Sequence, residues 1–178
     1  MRLYSTSASF TRPNNTTQYD EFDLVANDTT AGNVVPMTFP VPTGFLLTAV
    51  KLVVTAAATR SITSAQFRLY LYQFLPTVTL GDNGFFQSSE SGYLGSVALD
   101  CTTTALTIAT NVSSDAFAPH VLSTVSPVDP SSIPIFPDNT PTATSPVSNV
   151  YGLLQTYGFP GYIPTANEVY TLTLIGMD

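Results

Sequence analysis

Nearly every apolar segment of this chain alternates with a period of two, and that habit constrains the fold more than any other feature. Every second side chain lines one face of a strand, whereas a helix face needs a period near 3.6. Leu46 to Ala56 sets Leu46, Thr48, Val50, Leu52 and Val54 against Leu47, Ala49, Lys51, Val53 and Thr55. "RLYSTSASF", "YLGSVALD", "ALTIAT", "VYGLLQTY" and "EVYTLTLIG" read as strands, as does "VVPMTF" before a corner at Pro40–Gly44. Most are rich in β-branched or aromatic residues and bounded by Gly, Pro, Asn or Asp. No window of a dozen residues holds an apolar helical period. "SDAFAPHVLSTV" comes nearest, and Pro119 in its middle makes it irregular, with room for one helical turn. Many short strands punctuated by Pro and Gly predict an all-β chain built as a β-sandwich, and a jelly roll suits the strand count.

At 178 residues the chain reads as one domain, 1–178, large enough to fold without a disulfide or metal. Its single Cys101 cannot form an intrachain bridge and is expected to be a small buried apolar residue. The opening "MRLYSTSASFTRPNN" lacks the apolar core of a signal peptide. "GFLLTAVKLVVTAAA" carries Lys51 at its centre and is too short to span a bilayer. The expectation is a soluble protein made without a targeting segment.

Charge is scarce and unevenly placed. Arg2, Arg12, Lys51, Arg60 and Arg68 all precede position 69, with four acids among them, so the first 68 residues sum to +1. The remaining 110 residues hold eight acids and no Lys or Arg, summing to −8. Without a basic cluster there are no counterions to release from a phosphate backbone, which argues against nucleic-acid partners and against anionic membranes. Solubility normally relies on a charged surface. A chain this poor in charge is expected to have part of its surface covered by partners.

Catalytic chemistry is not assembled in the sequence. His120 is the single histidine, no G-x-S-x-G elbow exists, and with one Cys no zinc site of the usual ligand type can be built. Glu90, Asp100 and Glu168 are the carboxylates that could pair across strands as glycosidases require. "GDNG", Gly81 to Gly84, reads as a turn rather than a calcium loop, because the D-x-D-x-D-G alternation is missing. No phosphate-binding glycine motif occurs, and neither metal nor cofactor is expected.

Two stretches point instead to contact surfaces. In "AQFRLYLYQF" the alternation turns Phe67, Leu69 and Leu71 to one side and Arg68, Tyr70, Tyr72 and Phe74 to the other. An outer row of Arg and aromatics suits an interface, where Tyr and Arg dominate binding, or a row covered by a second layer of the same chain. Periodicity leaves both open. Ser123–Ser148 holds six prolines, two acids and no base, and reads as an extended insertion, 123–148, with Ile133, Ile135 and Phe136 as an apolar anchor. It is expected to lie along a neighbouring subunit or fold back over its own sandwich.

A family resemblance is carried by Arg12-Pro13, Tyr19, Asp23 with Val25-Ala26-Asn27, and Pro36 with Phe39. It continues through Phe67-Arg68-Leu69, Pro76-Thr77, Asp82-Asn83 and Tyr93-Leu94-Gly95 to the closing "EVYTLTLIG". In these parts the chain resembles the small structural proteins encoded among the head genes of tailed bacteriophages, the capsid decoration or cement proteins. The likeness covers roughly residues 10–100 and the last ten; the Pro-rich segment fits no part of it. It implies a non-enzymatic β-sandwich, made in the host cytoplasm, that binds the exterior of the assembled virion. It also implies the major capsid protein as partner and self-association as a trimer at or near three-fold axes. The alternative is a receptor- or carbohydrate-binding module of a phage tail or head fibre, with Tyr151, Tyr157, Tyr162 and Tyr170 as the sugar-stacking residues.

Overall fold

A computed structural model describes residues 2–56, 65–87, 92–100, 120–127, 147–157 and 162–177. Among the described residues nine strands run in chain order: β1 (Leu3–Thr11), β2 (Leu24–Val25), β3 (Met37–Pro42), β4 (Leu46–Ala56) and β5 (Gln66–Tyr72), then β6 (Tyr93–Asp100), β7 (His120–Pro127), β8 (Val147–Thr156) and β9 (Val169–Met177). They form two antiparallel sheets, one ordered β1-β9-β4-β7 and the other β2-β8-β5-β6, with β3 pairing β8 beside β2. The chain is therefore the all-β sandwich that its alternation predicts. Read as β1-β9-β4-β7 against β3-β8-β5-β6, the strand order is that of a jelly roll.

The inner rows supply the core. Tyr170, Leu172 and Leu174 of β9 lie in register with Val54, Leu52 and Val50 of β4, and face Phe67, Leu69 and Leu71 of β5. The Phe67 ring meets those of Tyr162 and Tyr170 edge-on, at 5.3 and 5.9 Å. Gly176 occupies an inner position where the chains crowd: a Cβ there would sit 2.2 Å from the Leu46 carbonyl oxygen. The sheets approach along their edges as well, and the Tyr4 hydroxyl of β1 donates to the Pro40 carbonyl of β3 at 3.2 Å.

Three local expectations are corrected. The strand before the first corner continues through Pro40 to Pro42, because β3 pairs only with β8 and an edge strand tolerates missing N–H groups. The turn is tightened to Thr43–Gly44, with Gly44 at φ 79°. The C-terminal part of "SDAFAPHVLSTV" is not irregular: His120 opens β7, which pairs with β4 from Ala56↔His120 to Ala49↔Pro127. The Pro-rich 123–148 segment begins inside β7 and ends inside β8, so its two ends belong to the sandwich. The 128–146 stretch between them, with Ile133, Ile135 and Phe136, lies outside the described residues, as do Glu90, Cys101 and the "ALTIAT" strand.

Two long excursions, 12–36 and 73–87, fold back over the outer face of the five-stranded sheet. They build a second apolar cluster in which Leu24, Ala26, Val34 and Phe86 cover Tyr72 and Leu153, with Val78 and Leu80 packed alongside.

Candidate functional site

Charged and polar side chains converge where the excursions meet the sandwich. Arg12, one residue beyond β1, is buried and pairs with Asp82 at 2.9 Å. Its Nε donates to the Tyr19 hydroxyl, its Nη1 to the Asn15 carbonyl and its Nη2 to Asn15 Oδ1. The Tyr19 hydroxyl and the Ala26 N–H both donate to Asp82 Oδ1. Burial pushes the Asp82 carboxyl up, and bonds from Tyr19, Ala26 and Arg12 pull it partly back. Burial alone would lower the Arg12 guanidinium, but Tyr19 and Asp82 more than offset it. The Tyr19 hydroxyl is pushed far above its ordinary range by the same burial and by the Asp82 charge, so it stays protonated.

A second knot sits beside the first, its Tyr162 ring stacked on Tyr19 at 5.9 Å. The Tyr162 and Tyr170 hydroxyls donate to Glu168 Oε2 at 2.6 and 2.7 Å, and the Thr165 N–H donates to Oε1 at 2.6 Å. Glu168 and Tyr170 are both fully buried. These two knots resemble catalytic clusters in composition only. Every carboxylate in them is occupied by donors of its own chain and closed to solvent, so they clamp the loops rather than act on a substrate. Glu168 is therefore structural, and the Asp100 side chain lies outside what is described. The Gly81–Gly84 turn holds, with Asn83 at φ 67°, but its Asp82 serves the buried pair instead of only neighbouring backbone. Among the described residues, no group of three or more His, Cys, Asp or Glu could hold a metal ion.

Among the described residues, an accessible cleft of about 450 Å³ lies on the outer face of the five-stranded sheet. Arg68 and Tyr70 of β5 and Ser96 of β6 form its floor with Gln155 of β8; Phe22, Phe85, Phe86, Gln87 and Tyr93 complete the lining. Phe85 is 55% exposed and Tyr93 46%. Gln155 fixes three walls at once: its Oε1 accepts the Tyr70 hydroxyl at 2.9 Å, and its Nε2 donates to the carbonyls of Phe86 and Phe22 at 2.5 and 3.3 Å. Arg68 lies over the Tyr157 ring at 3.7 Å, and among the described residues it makes no ion pair. Phe22 stands at φ 71°, a left-handed conformation that bulky side chains rarely adopt. Its backbone is held there by the Thr156 carbonyl and the Phe86 N–H, at 3.0 and 2.8 Å.

The predicted outer row therefore separates. Arg68 and Tyr70 floor the cleft, and Phe74 is 55% exposed just beyond β5. Tyr72 is a correction: it is fully buried, because the bulge opposite Leu71 and Tyr72 and the back-folded excursions enclose it. The predicted sugar-stacking tyrosines separate too. Tyr162 and Tyr170 are core residues, Tyr151 packs against the second apolar cluster, and Tyr157 lies beneath Arg68 without lining the cleft. Phe22, Phe85 and Gln155 were not among the contact residues the sequence pointed to, and Tyr93 entered only through the family resemblance. The one local signal was Gln155, a lone amide in the apolar run "GLLQTY".

The other broad face is different in kind. On the four-stranded sheet, Ser5, Ser7, Ser9 and Thr11 of β1 are exposed and lie in register with Ile175, Thr173, Thr171 and Val169 of β9. The next strand adds Ala49, Lys51, Val53 and Thr55 in the same rows. Lys51 is the only charged side chain in these rows of β1, β9 and β4. No excursion of the described chain folds over them.

No protein-family model matches the chain, and no curated protein matches it. Among solved structures, a xylan-binding module CBM15 is similar with a TM-score of 0.29 and 10% identity, covering 97% of this chain and 96% of that one. A likeness at that score carries no functional argument.

Proposed function

We propose that the chain is a non-enzymatic structural protein of a tailed-phage virion, which binds the outer surface of the assembled capsid and stabilises it. The observation that carries this reading is the nearly uncharged, Ser/Thr-rich face of β1, β9 and β4. A free surface is normally studded with charge. This one offers short hydroxyl side chains and aliphatic patches that can be dehydrated at low cost against another protein. The capsid resemblance of the sequence supports the same partner, the major capsid protein. Jelly rolls recur in capsid and lectin domains, which is an analogy of fold only.

The size of the face says how such binding would work. Nine-residue strands are about 30 Å long, and three strands with their side chains are about 15 Å wide, giving roughly 450 Å² per copy. A stable interface takes about 800 Å² per partner. One copy alone would hold weakly, whereas a trimer presents three such faces together and gains avidity from the lattice. Trimeric attachment at symmetric lattice positions is thus part of the proposal.

Purified protein mixed with expanded empty shells of its own phage should bind saturably, at a fixed ratio to the capsid protein, and raise the shells' disruption temperature. Failure to bind those shells ends the proposal.

A further inference from the structure

We infer that the cleft on the outer face of the five-stranded sheet binds a carboxylated sugar residue of an acidic glycan. The inference does not rest on the capsid reading, which concerns the opposite face.

The chemistry of the lining selects the ligand. At about 450 Å³ the cleft falls within the usual range for small-ligand sites, about 300–1,000 Å³. Its walls are aromatic planes, two of them half-exposed, Phe85 and Tyr93. Between them stand neutral hydrogen-bonding groups, Gln87 and Ser96, and a single cation, Arg68. A purely apolar ligand would leave those polar groups desolvated without partners. A phosphate polymer would need several cations, and a chain of net charge −7 supplies one here. A pyranose offers flat C–H faces to the rings and polar edges to the amide and hydroxyl. Among the described residues no acid lines the cleft, and Arg68 has no carboxylate of its own. The guanidinium carbon lies 3.7 Å from the centre of the Tyr157 ring, and a guanidinium resting on an aromatic face keeps its edge N–H groups for a carboxylate.

An extended peptide fits less well. Strand addition needs free backbone groups, and those of Phe22 and Phe86 at the cleft wall are consumed. The Phe22 N–H donates to the Thr156 carbonyl and the Phe86 N–H to the Phe22 carbonyl, while Gln155 takes the Phe86 carbonyl. The left-handed Phe22 adds a further mark, since strained backbone of this kind clusters at ligand clamps.

The test titrates the whole protein, by NMR shifts and calorimetry, with a glucuronate-containing disaccharide and with its neutral glucose counterpart. The acidic probe should saturate and bind about tenfold more tightly than the neutral one. Arg68→Gln should erase that difference while keeping the weaker binding. Tyr93→Ala should weaken both probes about tenfold with the fold intact by circular dichroism. Ser5→Glu with Ser9→Glu, on the other face, should leave both affinities unchanged, so loss of shell binding and loss of sugar binding are separately visible. Absence of saturation by either sugar, equal binding of both, insensitivity to Arg68→Gln, or a cleft that saturates instead with an extended peptide overturns the inference.

Discussion

Replacing Asp82 by alanine would remove one carboxylate from three donors at once, and the structure says what that costs. Arg12 Nη2 loses its ionic partner at 2.9 Å, and the Tyr19 hydroxyl and Ala26 N–H lose their acceptor. Arg12 is 1% exposed and Tyr19 fully buried, so water cannot readily replace what is lost. Arg12 keeps two acceptors on Asn15, which soften the loss without neutralising the guanidinium. Removing one member of a buried ion pair costs about 3–5 kcal/mol. For a domain of this size, about 2–4 °C of thermal midpoint is lost per kcal/mol, which gives a fall of roughly 6–20 °C. Circular dichroism of the variant measures it. The double variant Arg12→Met, Asp82→Ala should fall by at least about 1 kcal/mol less than the two single losses together, because it leaves no buried charge unpaired. A midpoint within about 2 °C of the parent for Asp82→Ala would refute the clamp, since an exposed surface pair is worth no more than about 1 kcal/mol.

Three further outcomes are expected. Gly176→Ala would place a methyl 2.2 Å from the Leu46 carbonyl oxygen, and overpacking of this kind costs about 1–3 kcal/mol; an unchanged midpoint contradicts the close approach. Burial holds the Asp23 carboxyl above its usual range, so the folded state keeps that proton more firmly than the unfolded one. Its contribution is complete below about pH 4 and is lost as pH rises through the raised folded value, so Asp23→Asn should flatten the fall in midpoint from mildly acid to neutral pH. A slope that the variant leaves unaltered counts against the burial. Gln155→Leu should release the Tyr70 hydroxyl and the Phe22 and Phe86 carbonyls together, lowering the midpoint and disturbing the cleft resonances in NMR; a silent substitution would mean the amide positions nothing.

The strands were legible because alternation is local: the burial of β9, half-buried then buried throughout, is already written in "VYTLTLIGM". What depends on distant chain was not. Tyr72 alternates with Leu71 as an outward residue should, and the bulge opposite it together with the return of the 12–36 and 73–87 excursions buries it. The Arg12–Asp82 pair spans 70 residues, and nothing near either one announces the other. Arg12, Tyr19 and Asp82 meet in that clamp, where they anchor loops rather than form a contact surface. β7 was hidden by Pro119 and by Ser and Thr residues, which weaken the apolar rhythm, yet its pairing with β4 completes the sheet order. The cleft stayed out of sight because its lining comes from five separated stretches, and Phe22 enters it through a backbone conformation that no periodicity encodes.

Electron microscopy of empty shells saturated with this protein tests the capsid proposal most directly. Density at fixed symmetric lattice sites, with the β1, β9 and β4 face against the shell and the aromatic cleft turned outward, is the expected result. Density that puts the cleft face on the shell, or shells that stay bare at saturating protein, would contradict it.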